Sequence, residues 1–439
     1  MKTVITNGIV VTMNPARDWY PNGYVLFEGS QILKAGPMDQ LGKLPEDCLV
    51  KDACHGIVMP GMVNTHSHLG MIPFRGLGDD CKDRLRVFLL PMEQQAMDRQ
   101  MAAVSSRFAI CELLLAGVTT VFDMYYFEDQ VAAAMDDLGI RGIAGQTVMD
   151  QGACDVSSPQ EAIAKGEALM KQYQSHKRVS ACLAPHGTTT CGPEWLKQAY
   201  QLDRTYQVPF TLHAAEMDYE IKELRERYHC TPVEFLDQIG VLGPETIAAH
   251  CIHVTEEDCL LLQKRGSKVS HCIASNTKAA KGVAPVLAMK NHHIPVGLGT
   301  DGPASGNTLD LFTQMRFCAN FHKNENRDRS AFPAEIIVAM ATIEGAKTLG
   351  LGSVTGSIEP GKEADLVLVE TDSANMFPVY DPYSALVYSA NSGNVRDVYV
   401  AGNQLVEEKK LLSADLKQIR NQLASLMDSS AFGKMGRIG

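Results

Sequence analysis

Apolar residues follow two different rhythms along this chain. Near both ends they come in short runs broken by glycine and asparagine. These are residues 4–12 (VITNGIVVT) and 24–34 (YVLFEGSQILK) at one end, and 365–369 (DLVLV) and 397–407 (DVYVAGNQLVE) at the other. Short apolar runs between turn residues predict β-strands. The middle of the chain alternates β-type runs with helical stretches. Eight runs stand out: 62–66, 118–123, 142–148, 179–185, 209–213, 246–250, 268–272 and 294–300. Several intervening helices are announced by their first turns. Ser158-Pro159-Gln160-Glu161, Thr231-Pro232-Val233-Glu234 and Thr255-Glu256-Glu257-Asp258 carry the capping-box pattern, the first two with proline at the first helical position. Gly240 and Gly266 stand where the latter two helices should stop. Eight strands separated by helices predict a (β/α)8 TIM barrel, although an open doubly wound sheet gives the same alternation.

Composition narrows the function classes. The chain has 439 residues, 45% hydrophobic and 21% charged, which is ordinary for a globular protein with a sizeable core. A net charge of −11 argues against nucleic acid and against an anionic membrane surface as partners. No stretch approaches 18 apolar residues, so no bilayer span is expected. The opening residues MKTVITNGIVVTMNP are interrupted by Asn7, Gly8 and Asn14 and do not read as a signal peptide. Twelve cysteines without a CxxC pair predict reduced thiols and a cytoplasmic location.

The chemistry-bearing residues gather at the ends of the predicted strands. His66 and His68 close the first run, and residues two apart on a strand point to the same side. His213 closes the fifth run, with Glu216 just beyond it. His250 closes the sixth, and Asp301 follows the eighth. Barrel active sites lie at the C-terminal ends of the strands. His66, His68, His213 and Asp301 offer nitrogen and oxygen donors without a thiolate, a set suited to one Zn(II), or Fe(II), with a position left for water. Zinc lowers the pKa of bound water to ~7. Glu216 is placed to carry a proton from that water to a leaving group. His250 is placed either to polarise the electrophile or to hold the hydroxide, and Asp301 to accept a proton while bound to the metal. His253 is expected in packing or in a supporting hydrogen bond.

Competing motifs fall away. Gly297-Leu298-Gly299-Thr300-Asp301-Gly302 fits G-x-G-x-x-G, but Pro303 and Gly306 prevent a helix from starting there, and no acid follows on a next strand. HExxH, the P-loop and the G-x-S-x-G elbow are all missing. So is the PCxxC of nucleotide-type zinc deaminases.

Six segments together resemble the amidohydrolase superfamily. They are MPGMVNTHSHLGMIPFRGLGDD (59–80), TLHAAE (211–216), AAHCIH (248–253), SHCIASNTKAAKGVAPV (270–286), GLGTDGPASGN (297–307) and GSIEPGKEADLVLV (356–369). The closest branch holds the S-adenosylhomocysteine and methylthioadenosine deaminases, guanine deaminase and the triazine hydrolases. The resemblance implies the (β/α)8 barrel over residues 59–353. It implies a small β-sandwich built from residues 1–58 and 354–439, the latter ending in a helix. It also implies one metal on His66, His68, His213 and Asp301, with Glu216 and His250 catalytic. Glu93 in LLPME matches a ribose-binding glutamate, and His186 in APHG a substrate-contacting histidine. Gln146 stands where the adenosine-thioether deaminases carry an arginine, and a second arginine has no counterpart in DQGACDVSS. The tryptophan those enzymes carry before LLPME is also missing. A neutral glutamine does not replace a bidentate arginine at a carboxylate, which weighs against S-adenosylhomocysteine as substrate.

The function expected from the sequence is hydrolytic deamination of an aminated nitrogen heterocycle (a purine or nucleoside, pterin, pyrimidine or s-triazine) by a metal-bound hydroxide, with release of ammonia. The partners are then a small heterocycle and water, with a homodimer as the family expectation. The alternatives are a chlorohydrolase or ring amide hydrolase on a similar ring, and a non-catalytic binding protein on the same fold.

Overall fold

The computed structural model describes residues 2–435. The outermost residues of the two expected terminal segments, residue 1 and residues 436–439, lie outside that range.

Eight strands form where the eight apolar runs lie. They are Met62–Ser67, Val118–Tyr125, Arg141–Val148, Val179–Pro185, Phe210–Ala214, Thr246–His250, Lys268–His271 and Val296–Leu298. All pair in parallel, as two four-stranded halves. Most of their residues are buried, as strands covered on both faces require. The halves join at two seams. At one, the His213 amide donates to the His186 carbonyl at 3.2 Å; at the other, the Asp301 amide donates to the His66 carbonyl at 3.1 Å. The circle is therefore closed, which excludes the open sheet. Its lower interior is filled by Val63, Phe122, Ile143, Cys182 and Ile247, plugged by Ala346 and Leu349.

The helix starts follow the residues that announced them. Thr231 and Glu234 cap each other's backbone, as do Thr255 and Asp258. Ser158 accepts from the Glu161 amide, but Glu161 turns back to Ser157, one residue earlier than a capping box needs. Gly240 and Gly266 take φ of +76° and +72°, the left-handed conformation that ends a helix.

The chain ends meet in one nine-stranded sheet. Leu366–Val369 pairs antiparallel with Ile57–Pro60, which runs parallel to Lys2–Val11. Trp19–Glu28 and Gln31–Pro37 extend one side, and Val395–Val400, Asn403–Glu407 and Lys410–Leu411 the other, while Leu49–Asp52 also pairs with Lys2–Val11. A separate apolar core holds this sheet, with Ile5, Val25, Phe27, Ile32, Leu366 and Leu368 at its centre. Arg141 of the third barrel strand ties the sheet to the barrel. Its guanidinium is bidentate to the buried Asp365 carboxylate, at 2.9 and 3.2 Å. No helix among the described residues is long and apolar enough to cross a membrane.

Candidate active site

Three imidazoles and a carboxylate converge at the C-terminal rim of the barrel. His66 Nε2 and His213 Nε2 lie 3.2 Å apart, and His68 Nε2 lies 3.2 Å from Asp301 Oδ1. Two of the rings are aimed by their other nitrogen. His68 Nδ1 donates to the Met124 carbonyl and His213 Nδ1 to the His186 carbonyl, both at 2.5 Å. That commits Nδ1 as the donor and turns Nε2 toward the centre, where a metal would take it. Asp301 is held by Ser275 Oγ at 2.6 Å and by the Gly302 amide at 2.6 Å. These residues fit one divalent ion.

Charge and burial agree with that reading. Burial, with the neighbouring imidazoles, pushes His66 and His213 well below the usual histidine range, so both are neutral donors. Burial opposes ionisation of Asp301, but His68 beside it holds the carboxyl well below the carboxylate range. His68 itself is opposed by burial and raised by Asp301 to about 9, so it carries a proton that leaves when a metal binds.

The backbone is strained where it delivers these groups. Ala215, His250, Cys251 and Asp301 have φ of 50°, 73°, 47° and 59°. Such residues cost about 1–3 kcal/mol each and persist where their surroundings overdetermine them. Here Glu220 accepts from the Ala215 and Glu216 amides at 3.0 and 2.9 Å, and Cys251 donates to the Ala214 carbonyl. The glycines of the G-x-G-x-x-G segment serve the same centre. A Cβ on Gly299 would meet His66 Cβ at 3.0 Å, and one on Gly302 would meet Met71 Sδ at 2.6 Å and His68 Cβ at 3.1 Å. They are spacers behind the histidines and cradle no phosphate.

Above the centre lies a cavity of about 340 Å³. Glu216 and His250 face into it, with His250 Nε2 3.7 Å from Glu216 Oε1. His250 Nδ1 donates to Asn276 Oδ1 at 2.8 Å. Glu93 also lines it, 2% exposed, and accepts from Tyr125 at 2.6 Å and Tyr126 at 3.4 Å. Burial raises its carboxyl to about 7. His186 also lines the cavity and packs on His213 with centroids 4.8 Å apart; burial lowers it to about 4. Gln146 does not join them. Its amide donates to Asp155 at 3.1 Å, and the residue stays outside the lining. His253 points to the surface, 3.5 Å from Asp218.

The sequence reading missed a charged residue of this cavity that touches Glu216. Lys281, in the loop after the short helix Ile273–Lys278, hydrogen-bonds Glu216 Oε1. A search for histidines and carboxylates at strand ends passes over a lysine on a loop. Ser275, Asn276 and Tyr125 escaped for the same reason: each acts through a side chain that is common anywhere.

The amidohydrolase family model matches residues 57–405. A 5-methylthioadenosine/S-adenosylhomocysteine deaminase of Syntrophobacter fumaroxidans is 33% identical over 422 residues, covering 96% of each chain. A 5'-deoxyadenosine deaminase of Methanosarcina barkeri is 34% identical over 426 residues, covering 95% of each. Among solved structures, a zinc-bound adenosine deaminase from Xanthomonas campestris superposes with a TM-score of 0.94 at 30% identity, covering 97% of this chain and 98% of that one.

Proposed function

The chain belongs to the amidohydrolase family, and from that premise we propose that it deaminates a 6-aminopurine nucleoside whose 5' end is uncharged. The general activity is hydrolytic deamination of an aminated heterocycle with a divalent metal; the ring, the zinc and the residue roles are our reading. The observation that carries it is the convergence of His66, His68, His213 and Asp301 beneath a cavity whose wall holds Glu216. A zinc ion on those four groups would ionise water near pH 7.

The side chains supply the proton traffic. Water adds to the ring carbon that bears the amino group. One proton of the water passes through Glu216 to the adjacent ring nitrogen. Asp301 accepts the other as water attacks and gives it up to the amine, which leaves as ammonia while the ring carbon keeps the oxygen. His250, its Nδ1–H spent on Asn276, turns Nε2 to the new oxygen. The need to protonate a poor leaving group is what favours ammonia over chloride.

The substrate's far end is read from what lines the cavity. Glu93, held by two tyrosine hydroxyls, is placed for ribose hydroxyls, and His186 for the sugar or base edge. Among the described residues Arg84 is the only lining arginine, and it is spent on the Leu77 and Ala304 carbonyls. With Gln146 turned to Asp155, no described lining residue offers a free guanidinium to an amino-acid carboxylate. Twelve unpaired cysteine thiols support a reducing, cytoplasmic setting. The test is ammonia release by the zinc-loaded protein from adenosine, 5'-deoxyadenosine, methylthioadenosine and S-adenosylhomocysteine. We expect the three neutral nucleosides to react at least tenfold faster (kcat/KM) than the last. Ammonia from none of them, but from a pterin or triazine, overturns the reading.

A further inference from the structure

We propose that Lys281 is a specificity-determining residue that selects substrates carrying a hydrogen-bond acceptor beside the ring nitrogen protonated by Glu216. The inference rests on the deaminase reading above and adds a demand on the ring itself.

One short segment after the seventh strand touches three working groups of the site. Ser275 donates to Asp301, Asn276 accepts from His250, and Lys281 donates to Glu216. The Lys281 amide is itself anchored on the Asn276 carbonyl at 2.9 Å. Lys281 therefore holds a fixed place relative to the catalytic groups and does not sweep solvent. Its side chain is 19% exposed and lines the substrate cavity.

The shared oxygen sets the geometry. Glu216 must reach the ring nitrogen next to the reacting carbon, and Lys281 sits on Oε1 of that same carboxylate. Two partners of one carboxylate are neighbours, so the ammonium faces the ring position on the far side of that nitrogen. In a 6-aminopurine this is the C2 substituent. An ammonium has three donors and no acceptor. A carbonyl oxygen at C2, with the ring proton on N3 so that N1 stays open to Glu216, accepts from it, a hydrogen leaves it on Glu216 alone, and an amino group sets donor against donor. The expected order is 2-oxo, then unsubstituted, then 2-amino. A hydrogen bond from a charged donor corresponds to a preference of about 10- to 100-fold.

The test compares kcat and KM for adenosine, isoguanosine and 2,6-diaminopurine ribonucleoside on the zinc-loaded wild type, Lys281→Met and Lys281→Gln. The proposal expects wild type to favour isoguanosine over the diamino compound by at least tenfold in kcat/KM. Lys281→Met should abolish that ratio, and Lys281→Gln, which keeps a donor, should retain part of it. If lysine only tunes Glu216, Met slows all three substrates equally and the ratio survives, which overturns the specificity role. A wild-type preference for the diamino compound overturns it too. Ammonia from none of the three overturns the nucleoside reading and this inference together, and so separates that failure from a failure of Lys281 alone.

Discussion

Glu216 and Asp301 look alike on paper, two buried carboxylates at strand ends, yet their surroundings assign them different work. Asp301 Oδ1 lies against His68, on the metal side, whereas Glu216 faces Lys281 and His250 across the cavity. Burial opposes ionisation of Glu216, but His250 and Lys281 hold it well below the usual carboxylate range. Glu216→Gln should keep the metal and lose about 10²- to 10⁴-fold in kcat, the size of a general acid–base contribution. Metal analysis beside the rate checks it, and loss of metal would make Glu216 a ligand. Asp301→Asn should lower both metal content and rate; unchanged values for both would remove it from the centre. The sequence made these residues legible because imidazoles and carboxylates at the ends of four barrel strands, the first, fifth, sixth and eighth, need a common reason. Lys281 was not legible, since its role comes from where a loop folds back. Gln146 occupies the third strand as expected, but Asp155, from the loop beyond, takes its amide.

At the scale of elements, the joints between layers carry polar groups that the apolar pattern did not announce. Asp365 is the clearest. It binds Arg141 of the third barrel strand and also accepts from the Ala401 amide at 2.6 Å. Asp365→Ala leaves a buried guanidinium with Glu363 as its one remaining carboxylate among the described residues and should cost about 3–5 kcal/mol. The denaturant midpoint measures it, and a loss under 1 kcal/mol would show that the joint is not a structural tie. A second joint is sensitive to acid. The helix Leu311–Glu325 meets the seventh strand through His322 and His271, whose Nε2 atoms are 3.0 Å apart. Burial lowers His322 to about 4 from 6.5, so the unfolded chain binds its proton first on acidification. Stability from this residue is complete above pH 6.5 and is lost as pH falls through 4, amounting to about 3 kcal/mol. His322→Gln should flatten the stability slope over that window, and an unchanged slope would contradict it. Strand and helix positions were readable because period and caps are local. Which terminal strand pairs with which was not, because Leu366–Val369 reaches Ile57–Pro60 only after the whole barrel has intervened.

For the whole molecule, the barrel closes at the same residues that do the chemistry. Both seams between its halves run through backbone hydrogen bonds of His213, His186, Asp301 and His66. An ion shared by His66, His68, His213 and Asp301 bridges both seams, so it should stabilise the closed barrel as well as enable catalysis. Binding to the folded state alone adds about 2.7 kcal/mol at a hundredfold excess over Kd. The direct measurement is metal content per chain, with ammonia-forming activity and Tm followed in parallel through chelation and zinc return. One ion per chain is expected, with activity and several degrees of Tm lost and regained together, and with no ion held by His213→Ala. Full activity in a chain stripped of metal would contradict the account.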